Sequence, residues 1–241
     1  MLGAAPLEAD LVPVMSATSK EELAAVLGWG PAGFMGAVDA EVSNDLNDPD
    51  HYTTWMGQSG IGLPDESYYR EEDQADVRAA YVTHVARMLD LVGLATHPAA
   101  GGATRADGTT ETDGVGGAAG TTPSGTTNHD PASLARKVMA LETALAKGHW
   151  DRVRTRDIEA MNNPMTWEEL TASAPGFPWG SWRRGVRERA AAVGVEQTTF
   201  LDEVIVTQPD YLPHLAGVWD TTDLEDQPGR SEERRVGKEC R

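Results

Sequence analysis

The residues of this 241-residue chain most able to do chemistry are its six histidines, His51, His84, His97, His129, His149 and His214. Hydrolysis on zinc sets two imidazoles one helical turn apart on one face, with a glutamate placed to deprotonate the metal-bound water. That geometry is the reason for the His-Glu-x-x-His spacing. No histidine here is followed by glutamate, and no two stand four residues apart. No third ligand can be assigned either, so the sequence yields no metal-binding, catalytic or cofactor-binding residue. His84 lies beside an apolar helical stripe, where a lone histidine is more often a satisfied core residue than a ligand. If metal chemistry were present regardless, His84, His149, His214 and nearby carboxylates would be the groups to search.

Other constellations are weaker. Ser59, Ser67 and Ser181 could be nucleophiles, but none sits in Gly-x-Ser-x-Gly or has an arranged histidine partner. Asp45, Asp48 and Asp50 resemble a calcium loop only loosely, without the central glycine and terminal glutamate, and read as a solvated turn. Gly60 and Gly62 are not followed by Gly-Lys-Ser/Thr, so they read as a tight loop rather than a phosphate cradle. Glu142 borders an apolar helix face and should be paired, with Arg154 or Arg156 as the expected partner and a catalytic-acid role as the lesser alternative.

The elements that must position these groups are read from caps and periodicity. Ser19-Lys20-Glu21-Glu22 is a capping box opening a short helix through Leu27, with Leu23, Val26 and Leu27 inward. Phe34 to Val42 reads as a strand with Phe34, Val38 and Val42 on one side. Asp76 to Leu94 is the clearest amphipathic helix, through Val77, Tyr81, Val85, Met88, Leu91 and Val92. Asp130-Pro131 starts another helix, its stripe Leu134, Val138, Leu141 and Leu145, closed by Gly148. Thr166-x-x-Glu169 is a further capping box, ending at Pro175. Trp182 and Val186 face inward on the next helix, and Asp202 to Thr207 is a short strand. Residues 99–131 hold eight glycines and eight threonines, with Val115 their only large aliphatic. Such a stretch cannot bury enough apolar surface to offset chain entropy and reads as a disordered insertion.

Composition narrows the function classes. A net charge of -18 and a pI near 4.6 argue against nucleic acid, which needs clustered Lys and Arg. No apolar stretch approaches a bilayer span, and Met1 to Pro6 lacks the pattern of a signal peptide. Cys240 is the only cysteine, so no intrachain disulfide can form, which fits a reducing cytoplasm. The last twelve residues, 230–241, resemble the in-frame translation of a sequencing adapter and are set aside from the fold. The other 229 residues carry 15 Lys and Arg against 35 Asp and Glu.

Two segments carry a family resemblance. The first, Leu141 to Trp182, comprises Leu141-Glu142-Thr143, His149-Trp150, Arg156-Asp157, Asn163-Pro164-Met165-Thr166 and Pro175-Gly176-Phe177-Pro178-Trp179, and it holds four of the seven tryptophans. The second is Gly60-Ile61-Gly62-Leu63-Pro64, leading to Tyr68-Tyr69. Together they resemble the neprilysin-type zinc metallopeptidases, bacterial oligopeptidase members above all, over about Glu21 to Asp226. The family's zinc helix and its Asn-Ala-x-Tyr substrate segment have no counterpart here. The resemblance therefore implies a mainly α fold with a few short strands, part of the N-terminal helical lobe of a two-lobed metallopeptidase. It implies a partial peptidase region at 1–229, interrupted at 99–131, before the adapter-like tail. The parent would be a zinc metalloendopeptidase cleaving oligopeptides inside an enclosed chamber, and this portion alone would bind no zinc and be inactive. The alternative is a non-catalytic helical module that binds a peptide or protein.

Overall fold

The computed structural model describes residues 7–29, 36–92, 130–195 and 199–223. Most of the proposed insertion, the whole adapter-like tail and Phe34 lie outside these ranges, as do His97 and His129.

Nine helices and four strands are formed among the described residues. The first helix, α1 (Glu8–Ser16), contains Pro13. α2 (Lys20–Leu27) follows, with Ser19 accepting from the Glu22 N–H. Glu22 closes this cap by reaching the backbone and hydroxyl of Thr18, one residue further back than the expected box. The chain then forms β1 (Val38–Asn44) and β2 (Tyr52–Gln58), an antiparallel pair in which Val38 lies opposite Gln58 and Asn44 opposite Tyr52. The expected strand at Phe34 to Val42 is thus shifted toward the C-terminus. Val38 faces the core, but Val42 is exposed.

After α3 (Ser67–Arg70) and a single 3-10 turn, α4 covers Ala75–Leu91, starting one residue before the expected Asp76 and ending short of the expected Leu94. None of its residues is fully buried. α5 (Pro131–Ala146) begins as expected, with the Asp130 carboxylate accepting from Ala132 and Ser133 N–H. Leu134 and Leu145 are buried, yet Leu141, expected on the same buried stripe, is exposed. The helix ends before Lys147 rather than at Gly148. Gly148 serves a different purpose: a Cβ there would sit 2.2 Å from His214 Cδ2, so only glycine lets the chain pass this ring.

The remaining elements are α6 (Ile158–Met161), β3 (Asn163–Thr166), α7 (Trp167–Ser173), α8 (Trp179–Ala192), β4 (Glu203–Val206) and α9 (Tyr211–Thr221). The Thr166–Glu169 capping box is reciprocal, both halves being formed. The sheet order is β1-β2-β4-β3, with β2 parallel to β4 and β3 antiparallel to it. Met56, Val204 and Val206 face a core completed by Leu170, Phe177, Trp179, Trp182, Leu212 and Leu215. Trp179 stands edge-on to Trp182 at 6.1 Å, and Phe177 contacts both Trp179 and Trp219. Trp179 also donates its indole N–H to Ala174 O at 2.9 Å, so the most buried end of this cluster loses no hydrogen bond. α2 crosses α8 at glycines. A Cβ on Gly185 would lie 1.8 Å from Ala25 O, and one on Gly28 would lie 2.1 Å from Trp182 O. The backbones touch because no side chain separates them.

Candidate functional site

The loop from Gln58 to Glu66 is held by three elements. Gly60 takes φ +87°, a left-handed conformation that favours glycine. Gly62 has no room for a side chain, since a Cβ would meet Tyr81 Oη at 1.9 Å. Tyr69, buried on α3, accepts the N–H groups of Gly62 at 3.0 Å and Leu63 at 2.9 Å through its phenol oxygen. The same hydroxyl donates to Glu142 Oε2 at 2.6 Å. Tyr81 on α4 donates to Glu142 Oε1 at 2.8 Å, and the Gly62 N–H also reaches Oε2 at 3.2 Å.

Glu142 therefore satisfies its charge with two phenols and an amide, correcting the expected ion pair to Arg154 or Arg156. Arg154 instead lies over the Trp150 ring, 3.5 Å from its centroid, and pairs with Asp210 at 2.9 Å. The phenols respond to this setting. Burial, reinforced by the hydrogen bond to Glu142, pushes Tyr69 and Tyr81 well above the ordinary tyrosine value. A carboxylate held by three donors acts as a fastening between helices.

Beside this node lies a concavity of about 650 Å³ lined by Glu66, Tyr69, Arg70, Thr143, Ala146, Lys147, His149 and Asp151. Its charges are largely paired within the wall, as Arg70 forks onto Glu66 at 2.8 and 3.2 Å and Asp151 caps Val153 and Arg154. His149 points Nε2 at Ser59 O, 3.1 Å away, and its ring stands edge-on to Tyr211 at 5.0 Å. Since a carbonyl only accepts, that nitrogen carries the proton. Burial pushes His149 below the ordinary histidine value, opposed by the Ser59 bond and helped by nearby His214. His214 donates Nε2–H to Ala144 O at 2.7 Å. Both rings are tied to backbone carbonyls.

The other sequence candidates are scattered. His84 is exposed on α4, not a core residue as expected. His51 meets Asp48 at 2.7 Å in the solvated turn, where Asp45 accepts from the Asn47 N–H. Ser67 donates to Asp65. Ser59 contributes its carbonyl to His149 and Tyr211, and Ser181 belongs to the first turn of α8. Among the described residues no three His, Cys, Asp or Glu side chains converge to hold a metal ion, so they do not fit a zinc site. No helix of the described residues is long and apolar enough to cross a membrane.

The N-terminal model of peptidase family M13 matches residues 1–227. A crystal structure of the zinc metalloprotease Zmp1 of Mycobacterium tuberculosis, in complex with an inhibitor, is 35% identical with a TM-score of 0.70. That match covers 93% of this chain and 28% of Zmp1. The open state of the same protease, from electron cryomicroscopy, is 36% identical with a TM-score of 0.69, over 93% of this chain and 29% of that one. PepO from Lactobacillus rhamnosis, 18% identical with a TM-score of 0.60 over 95% of this chain and 30% of its own, shares the fold. No curated protein matches significantly. The chain thus spans less than a third of the length of the solved structures it matches.

Proposed function

Because this chain belongs to peptidase family M13, we propose that it is the N-terminal, non-catalytic portion of a zinc-dependent metalloendopeptidase that cleaves oligopeptides. The observation that carries the reading is the family match over residues 1–227, in a sequence with no His-Glu-x-x-His. Zinc in such a parent supplies the Lewis acid that activates water for attack on a peptide carbonyl. The described residues do not fit that ion, so no step of hydrolysis is assigned to them. Their part is to hold shape. The sheet and the tryptophan cluster pack into one body, and the Glu142 fastening fixes the Gln58 to Glu66 loop against α4 and α5. In the parent this body forms scaffold and part of the wall around the substrate chamber.

The test is to read the coding sequence beyond residue 227 and assay the extended protein. The proposal expects a His-Glu-x-x-His helix and chelator-sensitive cleavage of short peptides. A reading frame that continues without such a helix would favour a helical binding module instead.

A further inference from the structure

α4 is fastened to the body without joining its main core. No residue of the helix is buried. Its inward stripe, Tyr81, Val82, Val85 and Leu89, is only partly buried, while Val77, Met88 and Leu91 stand in water. α5, against which it packs, is anchored differently. Leu134, Ala135, Leu145 and Ala146 are buried there, and Leu145 joins the main core with Met56 and Leu215. Among the described residues that core takes nothing from α4. The helix instead adds Tyr81 to a second, small cluster around Leu63, Tyr69 and Ala146.

Polar ties reinforce this shallow packing. Tyr81 donates to Glu142 Oε1 at 2.8 Å, and its hydroxyl occupies the space that a side chain on Gly62 would need. Three residues earlier, Arg78 donates through Nη1 to Tyr68 O at 2.8 Å and Glu71 O at 2.7 Å. Arg78 thereby clamps the start of α4 to carbonyls in and just after α3. Apolar burial stabilises in proportion to the area removed from water, so parting this stripe costs less than dissolving a core of fully buried side chains.

We infer that α4 is a latched strap, which comes off α5 and α3 as a unit while the sheet, α8 and α9 stay folded. Tyr81 and Arg78 are the latch. Opening uncovers Glu142, Tyr69 and the small cluster around Leu63, and so exposes the Gln58 to Glu66 loop on the side that α4 covers. Contiguous segments with few buried apolar contacts are the ones that open below the free energy of global unfolding. The inference goes beyond the peptidase reading and does not depend on it.

The test is hydrogen exchange of the native 241-residue chain, read amide by amide in rising urea below the unfolding transition. Amides of α4 should exchange roughly tenfold or more faster than those of β4 and α9, through one shared opening with a weaker urea dependence. Tyr81→Phe should speed α4 exchange roughly fivefold, the effect of losing one hydrogen bond from the closed state. Gly185→Ala, at the α2–α8 crossing, should speed exchange in β4 and α9 and leave α4 unchanged, because it weakens the body equally with the strap closed or open. A single rate and a single urea slope shared by α4, β4 and α9 would overturn the inference. That arm uses the unaltered chain and stands whether or not the variants fold. Rates in α4 that scatter from residue to residue without urea dependence would mean fraying, and would overturn it too. So would α4 exchange that Tyr81→Phe leaves unchanged, or that Gly185→Ala speeds as much as it speeds β4.

Discussion

Tyr69 donates its phenol proton to Glu142 over 2.6 Å while accepting the backbone N–H groups of Gly62 and Leu63, so one hydroxyl joins α3, α5 and the glycine loop. Tyr81 reaches only the other oxygen of the same carboxylate. The two tyrosines therefore differ in what their loss leaves unpaired.

Tyr69→Phe should cost about 2–3 kcal/mol, because two amides and a carboxylate oxygen lose a partner, whereas Tyr81→Phe should cost about 1 kcal/mol. Urea unfolding of the two variants checks the order. Equal losses would mean that the amides find other acceptors. Glu142→Gln keeps the shape but weakens both phenol bonds, and should fall between the two.

The pH dependence follows from three phenols and one imidazole. Burial, with Glu142 adding to it for the first two, raises Tyr69, Tyr81 and Tyr211 above the ordinary value of 10.0. Their contribution to stability is complete below pH 10 and is lost as pH rises through the folded values, since the unfolded chain ionises first. His149 is shifted the other way, lowered from 6.5 chiefly by burial. Its contribution is present above pH 6.5 and is lost as pH falls through the folded value. Unfolding free energy should therefore decline on both sides of a neutral plateau. Tyrosinate absorbance should rise for Tyr69, Tyr81 and Tyr211 only together with loss of the fold; their ionisation in an intact fold would contradict this.

The α2–α8 crossing makes a sharper claim. Gly185→Ala places a methyl 1.8 Å from Ala25 O, where only backbone can move. Overpacking of this kind costs about 1–3 kcal/mol when neighbours can yield, so the upper end or beyond is expected here. Gly180→Ala on the same helix meets nothing within 4 Å and should be neutral or slightly stabilising. Thermal melts that place the two variants together would refute the close crossing.

What was legible in the chain was local. Ser19, Asp130 and Thr166 announce helix starts because a side-chain oxygen caps amides two or three residues on, and all three do so. Trp182 and Val186 were readable as core from spacing. Two strands were missed. β2, Tyr-Thr-Thr-Trp-Met-Gly-Gln, carries the alternation in Thr54 and Met56, both buried, and that signal was available. β3 is four residues long with Pro164 inside, and only its pairing with β4 makes it a strand. The partners of Glu142 were not legible, because Tyr69 and Tyr81 lie 73 and 61 residues away and the fold alone brings them together.

The chain is proposed to be the part of an M13 peptidase that lacks the chemistry. The direct measurement is purified 241-residue chain with zinc and a quenched-fluorescent peptide, run with and without chelator. No chelator-sensitive turnover is expected, since hydrolysis needs an open-coordinate metal held by three protein ligands and a positioned base. Chelator-sensitive turnover would contradict the account and place a zinc site within these 241 residues.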